Sequence, residues 1–319
     1  MGLDSKNVLV TGGTGFIGSH LVECLIEKKA NVIVPFLSIN HKNYFFSKKL
    51  DKNTILVHCD IKNLRRITDI ITKYEIDYIF HLAAQPIVTT AYYNPIETIK
   101  NNIMGTANVL EAARTYGIVK GIIVVSSDKA YGKIPKADES KPLSGDHPYE
   151  ISKVAADFIA SAYFKTYNLP IIVTRFGNVY GEGDINFSRI IPGIFKSIIK
   201  NEKLLIRSNG KYVRDYIYVK DVIEAMLLLC SNLSRNKGEA FNISSSENTS
   251  VVELIKKIEK ILSVKIEYKI LASAVNEIPV QSINYGKIRL KLDWKPKDNL
   301  ATTIVNIHEW YKKYFEYNN

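Results

Sequence analysis

The chain has 319 residues, of which 46% are hydrophobic and 24% charged. That is a globular mix, long enough for one large α/β domain or two unequal ones and too long for a peptide-sized or disulfide-stapled scaffold. Lys and Arg number 43 against 32 Asp and Glu, a formal net charge of +11; the basic residues are dispersed and no nucleic-acid motif accompanies them, so a solvated lysine-rich surface is expected and a nucleic-acid partner is not. No stretch approaches the roughly eighteen consecutive apolar residues of a membrane span, which excludes a membrane partner of that kind. The N-terminus runs into a strand without the pattern of a signal peptide. Cys24, Cys59 and Cys230 lack metal-ligand spacing and read as reduced core thiols. A metal-free, cytoplasmic protein is the expectation.

In chain order, residues 7–11, 31–34, 54–58, 78–81, 121–126 and 171–175 are short, largely apolar runs rich in β-branched residues. Such runs fit strands buried on both faces. Between them, 16–28, 96–116 and 149–167 carry apolar residues at helical spacing, with Pro95 and Pro148 where a helix begins. The alternation predicts an α/β fold with a Rossmann-type doubly wound parallel sheet. After Arg175 the rhythm changes to a helix near 188–200, short strands and longer loops, which predicts a smaller C-terminal substrate-binding domain. Residues 216–230 and 240–243 again look like sheet and helix material of the first domain. The expected division is therefore discontinuous: 1–175 with 213–243 for the Rossmann domain, and 176–212 with 244–319 for the second.

The first strand ends in Thr11-Gly12-Gly13-Thr14-Gly15-Phe16-Ile17-Gly18. Gly12 permits a tight turn, Gly15 lets backbone approach a pyrophosphate at the helix N-terminus, and Gly18 lets helix pack closely on strand. The strand before and the helix after supply the context that makes this a dinucleotide site. Two later strand ends agree with it. Asp60 follows the third strand, either as a carboxylate for an adenine amino group or as a helix cap. After the fourth, small Ala83 and Ala84 follow Leu82 and leave room for a cofactor. The acidic residue expected about twenty positions after the glycines, for the ribose hydroxyls, is missing, which leaves NAD and NADP both open. His41 and Lys42 belong either to a 2′-phosphate site or to a solvated loop.

Tyr149 and Lys153 stand at i and i+4 on one helical face. A nearby ammonium favours phenolate and so makes a base for a hydroxyl proton. Tyr44/Lys48, Tyr116/Lys120 and Tyr216/Lys220 share the spacing. Only Tyr149 opens a long helix about twenty residues after Ser126-Ser127-Asp128-Lys129 at a strand end.

These motifs, together with His81-Leu82-Ala83-Ala84-Gln85, Asn102-Ile-Met-Gly-Thr, Arg175-x-x-Asn178-Val-Tyr-Gly and Val213-Arg214-Asp-Tyr-Ile-Tyr, resemble the extended short-chain dehydrogenase/reductase family of sugar-nucleotide epimerases and dehydratases over nearly the whole chain. The resemblance implies tightly bound NAD, held by Gly12, Gly15, Phe16, Ile17, Gly18, Asp60, Ile61, Leu82, Ala83, Ala84, Asn102, Tyr149 and Lys153. It implies Ser127, Asp128, Lys129, Tyr149 and Lys153 as catalytic residues. For a nucleotide-sugar substrate it implies Gln85, Asn178, Arg189, Arg207 and Arg214, of which Arg189 and Arg207 read equally well as surface residues. A 4-epimerase needs only the Ser, Tyr and Lys, whereas a 4,6-dehydratase also needs an acid and a base beside the sugar. Asp128 suits the acid. Many dehydratases carry Glu next, and Lys129 in its place is similar to the CDP-glucose 4,6-dehydratase subgroup. Glu277-Ile-Pro-Val-Gln281 resembles the same subgroup's C-terminal region. The resemblance also implies a homodimer built on the helices near 96–116 and 149–167.

Overall fold

The described residues form thirteen strands: β1 (Asn7–Thr11), β2 (Asn31–Phe36), β3 (Ile55–His58), β4 (Tyr78–His81), β5 (Gly121–Val125), β6 (Ile171–Phe176), β7 (Asn178–Tyr180), β8 (Leu204–Ile206), β9 (Val213–Tyr218), β10 (Ala240–Ile243), β11 (Asn248–Ser250), β12 (Tyr268–Ile270) and β13 (Val280–Gln281). The computed structural model describes residues 2–245, 247–273 and 278–318; Glu277 lies outside them. Seven strands make one parallel sheet in the order β10-β6-β5-β4-β1-β2-β3. The chain winds outward from β1 in one direction and from β4 in the other. The crevice beyond their carboxyl ends is therefore the switch point at which such sheets bind ligands.

Apolar side chains on both faces of these strands build two cores. Val8 and Val10 join Val32, Val34, Phe80 and Ile123 under the helices Phe16–Glu27 and Val219–Ser231. Leu9 points the other way, with Ile33, Ile79 and Ile122, toward the helices Leu64–Lys73 and Gly105–Tyr116. A period of two with no polar member is what double coverage requires.

Two elements depart from the sequence reading. The helix anticipated over 96–116 is three pieces, Pro95–Ile99, a single π turn at Lys100–Met104, and Gly105–Tyr116. The π turn swings Asn102 inward, where it is 1% exposed, and Gly105 passes so close to Ile61 that a Cβ would lie 2.5 Å from its Cδ1. The second departure is β9, which joins β7, β11 and β13 in a separate four-stranded sheet, while the helix Val219–Ser231 after it covers the seven-stranded one. β8 and β12 form a third, two-stranded sheet. Among the described residues no helix is long and apolar enough to cross a membrane, and no three His, Cys, Asp or Glu side chains converge as a metal site.

Candidate active site

The glycine loop has no room for side chains. Gly12 takes a φ of +72°, and a Cβ there would stand 2.8 Å from the Ala83 nitrogen; one on Gly18 would stand 2.1 Å from the Gly12 carbonyl oxygen. Strand end, helix and the Leu82–Ala83 turn thus meet backbone to backbone. Gly15 is the N-cap of Phe16–Glu27 and has no side chain to satisfy the first-turn N–H groups. Those donors and the helix dipole suit an anion at this end of the crevice.

A chain of hydrogen bonds fixes the loop. The Ala83 N–H donates to Thr11 Oγ1 (3.2 Å), which pairs with His81 Nδ1 (2.7 Å); His81 Nε2 pairs with Thr106 Oγ1 (3.0 Å), which donates to the Asn102 carbonyl (2.7 Å). Read from that last donor backward, His81 is neutral with its proton on Nε2. Burial, helped by the charge of Lys153, holds its pKa down at about 3. Asn102 accepts from the Gln85 N–H (2.7 Å) and donates to the Gln85 carbonyl (3.1 Å) and to Ser152 Oγ (2.9 Å). Its amide is occupied in stapling the Gln85 turn to the helix Pro148–Tyr167.

A cleft of about 1250 Å³ runs from this loop across the sheet edge to the four-stranded sheet. Every residue that the family resemblance implied for cofactor, diphosphate or catalysis lines it except Asn102, which lies behind its wall. At the β2 end the lining is Pro35, Phe36, Leu37 and Ser38, with neither His41 nor Lys42. Asp60 is on the wall, its Oδ1 accepting from the Lys62 N–H (2.9 Å), and the helix Leu64–Lys73 is capped by Asn63 instead. That removes the cap reading of Asp60.

At the centre, Tyr149 enters on the first turn of Pro148–Tyr167, a helix started by Pro148 and capped by His147 Nδ1. Burial pushes its phenol up to about 12, with Ser127 and Arg189 pulling down and Asp128 pushing up. The Lys153 ammonium, one helical turn on, donates to the Val125 carbonyl (3.2 Å). Burial lowers its own pKa to about 8 against the opposing pull of Asp157. Asp157 in turn is clamped by Arg175 through two 2.8 Å bonds, and Arg175 reaches the Tyr131 hydroxyl (2.6 Å). This buried network ties the helix to the turn that carries Asp128.

Ser127 Oγ donates to Asp128 Oδ1 (2.9 Å) and accepts from the Lys129 N–H (3.2 Å). Asp128 is 4% exposed, and its Oδ2 is buried without a hydrogen-bond partner. Burial raises its pKa despite Lys129, Ser127 and Arg214. Burial of this kind favours the neutral carboxyl over the carboxylate, and Oδ2 is the oxygen with no partner in the protein. Lys129 Nζ donates to Gln281 Oε1 (2.7 Å). The sequence reading did not single out the carboxyl of Asp215, and it set Tyr216 aside as one of the tyrosines that share the spacing with a lysine. Asp215 is buried beside Ser244 and Ser245, and burial with Asp128 nearby drives it up to about 7. Tyr216 presents a buried hydroxyl without a partner to the same cleft. An alternating strand gives no local signal for either, since Tyr216 reads as core.

The far wall is cationic. Arg214 bonds the Val213 and Ile278 carbonyls (2.9 and 2.7 Å) and lies over the Tyr212 ring; Arg189 pairs with Asp184 (3.2 Å); Arg207 donates to the Ser188 carbonyl (3.2 Å). Asn178 donates to the Asp215 carbonyl (3.4 Å). Planar guanidinium groups on three elements around one cleft suit a diphosphate.

A dinucleotide fold whose crevice holds a Ser, a Tyr and a Lys beside a buried acid defines a class, the oxidoreductase-like enzymes that act on a bound hydroxyl. A family model described as GDP-mannose 4,6 dehydratase matches residues 9–307. The chain is 31% identical to human dTDP-D-glucose 4,6-dehydratase, over 98% of this chain and 91% of that protein. It is also 31% identical to CDP-paratose 2-epimerase of Salmonella typhi, over 95% and 98%. A dTDP-glucose 4,6-dehydratase of Streptomyces venezuelae, solved with NAD bound, superposes with a TM-score of 0.87 at 26% identity, covering 96% and 97% of the two chains. The chain belongs to the extended short-chain dehydrogenase/reductase family of NAD-dependent sugar-nucleotide epimerases and dehydratases.

Proposed function

We propose that this protein is an NDP-hexose 4,6-dehydratase with CDP-glucose as its favoured substrate, working in the cytoplasm as a homodimer with bound NAD. The observation that carries the reaction type is Asp128: a buried carboxyl with one oxygen engaged by Ser127 and the other without a partner. A 4-epimerase has no use for such an acid.

The residues present fit NAD. Gly12, Gly15 and Gly18 form a cradle that a Cβ would fill, donors at the N-terminus of Phe16–Glu27 suit the pyrophosphate, and Asp60 suits the adenine amino group. The absence of a cation on the cleft wall at the β2 end favours NAD over NADP. NAD bound there would supply the hydride acceptor for C4 and, once reduced, the hydride donor for C6. Tyr149, aided by Ser127, takes the C4 hydroxyl proton. With C4 a ketone, the C5 proton is acidic. Neutral Lys129 takes it, the electron pair of the C5–H bond expels the C6 oxygen, and Asp128 protonates that oxygen so that water leaves. Lys129 then gives its proton back to C5 as hydride arrives at C6. The proton taken by Tyr149 makes good the one Asp128 lost. Arg214, Arg189, Arg207 and Asn178 hold the diphosphate, and Gln85 lies on the sugar side. The Ser-Asp-Lys sequence at 127–129 supports CDP-glucose by its likeness to that subgroup.

Incubation with a panel of NDP-hexoses and measurement of product mass tests this. Loss of one water from CDP-glucose is expected. Water loss from dTDP- or GDP-hexose alone would correct the base, and unchanged mass with inverted C4 would make the protein a 4-epimerase.

A further inference from the structure

Lys129 in the scheme above must be neutral when it takes the C5 proton and an ammonium when it gives it back. Gln281 holds its ammonium by a hydrogen bond, from a strand 152 residues away. Gln281 is 3% exposed; its Oε1 accepts from Lys129 Nζ, and its Nε2 is buried without any partner. An amide nitrogen left unpaired in a protein interior destabilises the fold, and at a site of chemistry such a group calls for an explanation. The backbone around it is firmly placed. Ser282 Oγ accepts from the Lys136 N–H (3.2 Å), the Asn284 N–H donates to the Ala137 carbonyl (2.9 Å), and Asn242 Nδ2 bonds the carbonyls of both Asn284 (2.9 Å) and Ala137 (3.0 Å). β13 is thereby fixed to the segment that follows Lys129.

We propose that Gln281 is a positioning residue whose carboxamide holds Lys129 in both of its protonation states. Toward the ammonium it presents Oε1, as observed; toward the neutral amine it turns by half a rotation about its terminal bond and donates an Nε2 proton to the nitrogen lone pair. The turn sacrifices no other hydrogen bond, because Nε2 has none. A carboxylate could serve only the ammonium, and an apolar side chain neither form. This rests on the dehydratase reading.

Among the described residues, the charged and titratable groups around this corner include Asp128 on the same turn, Arg214 and Asp215 on β9, Tyr149, and Arg189. All are unchanged in the variants that test the proposal. The test is exchange of the C5 proton with deuterated solvent in the loaded enzyme, followed against pH, with C4 oxidation read separately from the absorbance of the reduced cofactor. Gln281→Glu is expected to lower C5 exchange at least tenfold near neutral pH and move its rise to higher pH, while C4 oxidation persists. Gln281→Met is expected to lower exchange and move its rise to lower pH, because the ammonium loses its acceptor. A merely structural role would slow both steps without opposite displacements. Parental exchange with an unmoved pH profile in both variants, in a protein whose parent does remove water, overturns this inference alone. A parent that turns substrate over without losing water overturns the dehydratase reading and this inference with it.

Discussion

Asp128 Oδ2 lies in the protein interior with no partner, while Oδ1 is engaged by the hydroxyl that also serves Tyr149. A group placed this way is expensive for folding and useful for proton transfer. Asp128→Asn keeps the shape and the contact with Ser127 but has no acidic proton. Product formation is expected to fall by about two to four orders of magnitude, the usual worth of an acid or base catalyst. C5 exchange of the bound sugar, which depends on Lys129, is expected to persist. The pair of readings separates Asp128 from its neighbour. Parental rates of water release would move the acid elsewhere, with Asp215, which burial raises to about 7, the next candidate.

At the scale of elements, two joints hold the cofactor end together. The first is the contact of Gly18 with the Gly12 carbonyl, where a Cβ would meet backbone at 2.1 Å and nothing can rotate away. Gly18→Ala is expected to cost about 1–3 kcal/mol of strain, and a displaced loop weakens dinucleotide binding by about tenfold for each 1.4 kcal/mol lost. Titration with NAD and a thermal melt check it; parental values in both would show that the helix shifts freely. The second joint is His81, which bonds β1 through Thr11 and the helix Gly105–Tyr116 through Thr106. Its folded pKa of about 3 lies below the ordinary 6.5. Between those values the unfolded chain binds a proton that the folded chain refuses, so this contribution is whole above 6.5 and shrinks as pH falls. The slope for one such group is up to about 1.4 kcal/mol per pH unit. His20, also lowered by burial, acts in the same direction. Urea unfolding as a function of pH is expected to show this loss, and His81→Gln to reduce the slope by about one proton. A parent whose stability is flat over that range would refute it.

For the molecule as a whole, sequence pattern and structure agree where local rules govern. All six largely apolar runs before residue 176 are strands, because coverage of the sheet's central strands on both faces keeps their middles apolar. The glycine loop and Tyr149 were legible because turn geometry and helix position are local properties. The π turn at Lys100–Met104 was not, since it exists to put the Asn102 amide against Gln85, a contact across 17 residues. Gln281 against Lys129 and the membership of β9 in its own sheet depend on pairings more distant still. One face is left without a neighbour. On Pro148–Tyr167, Ile151 and Phe158 stand seven apart on one stripe and are 45% and 58% exposed; Ile96 and Met104, on the segments packed beside that helix, are 61% and 52% exposed. Large side chains aligned at this period are better hidden against a copy of themselves than left in water, and a two-fold axis would set the two helix layers into one bundle. Phe158→Lys puts a charge at that stripe on both copies while leaving the cleft untouched. Sedimentation is expected to show a dimer for the parent and a monomer for the variant at micromolar concentration, with Tm of the variant lower and dependent on neither salt nor cofactor for its monomeric state. A monomeric parent, or a variant that remains dimeric, would place the interface elsewhere and leave these four side chains as surface.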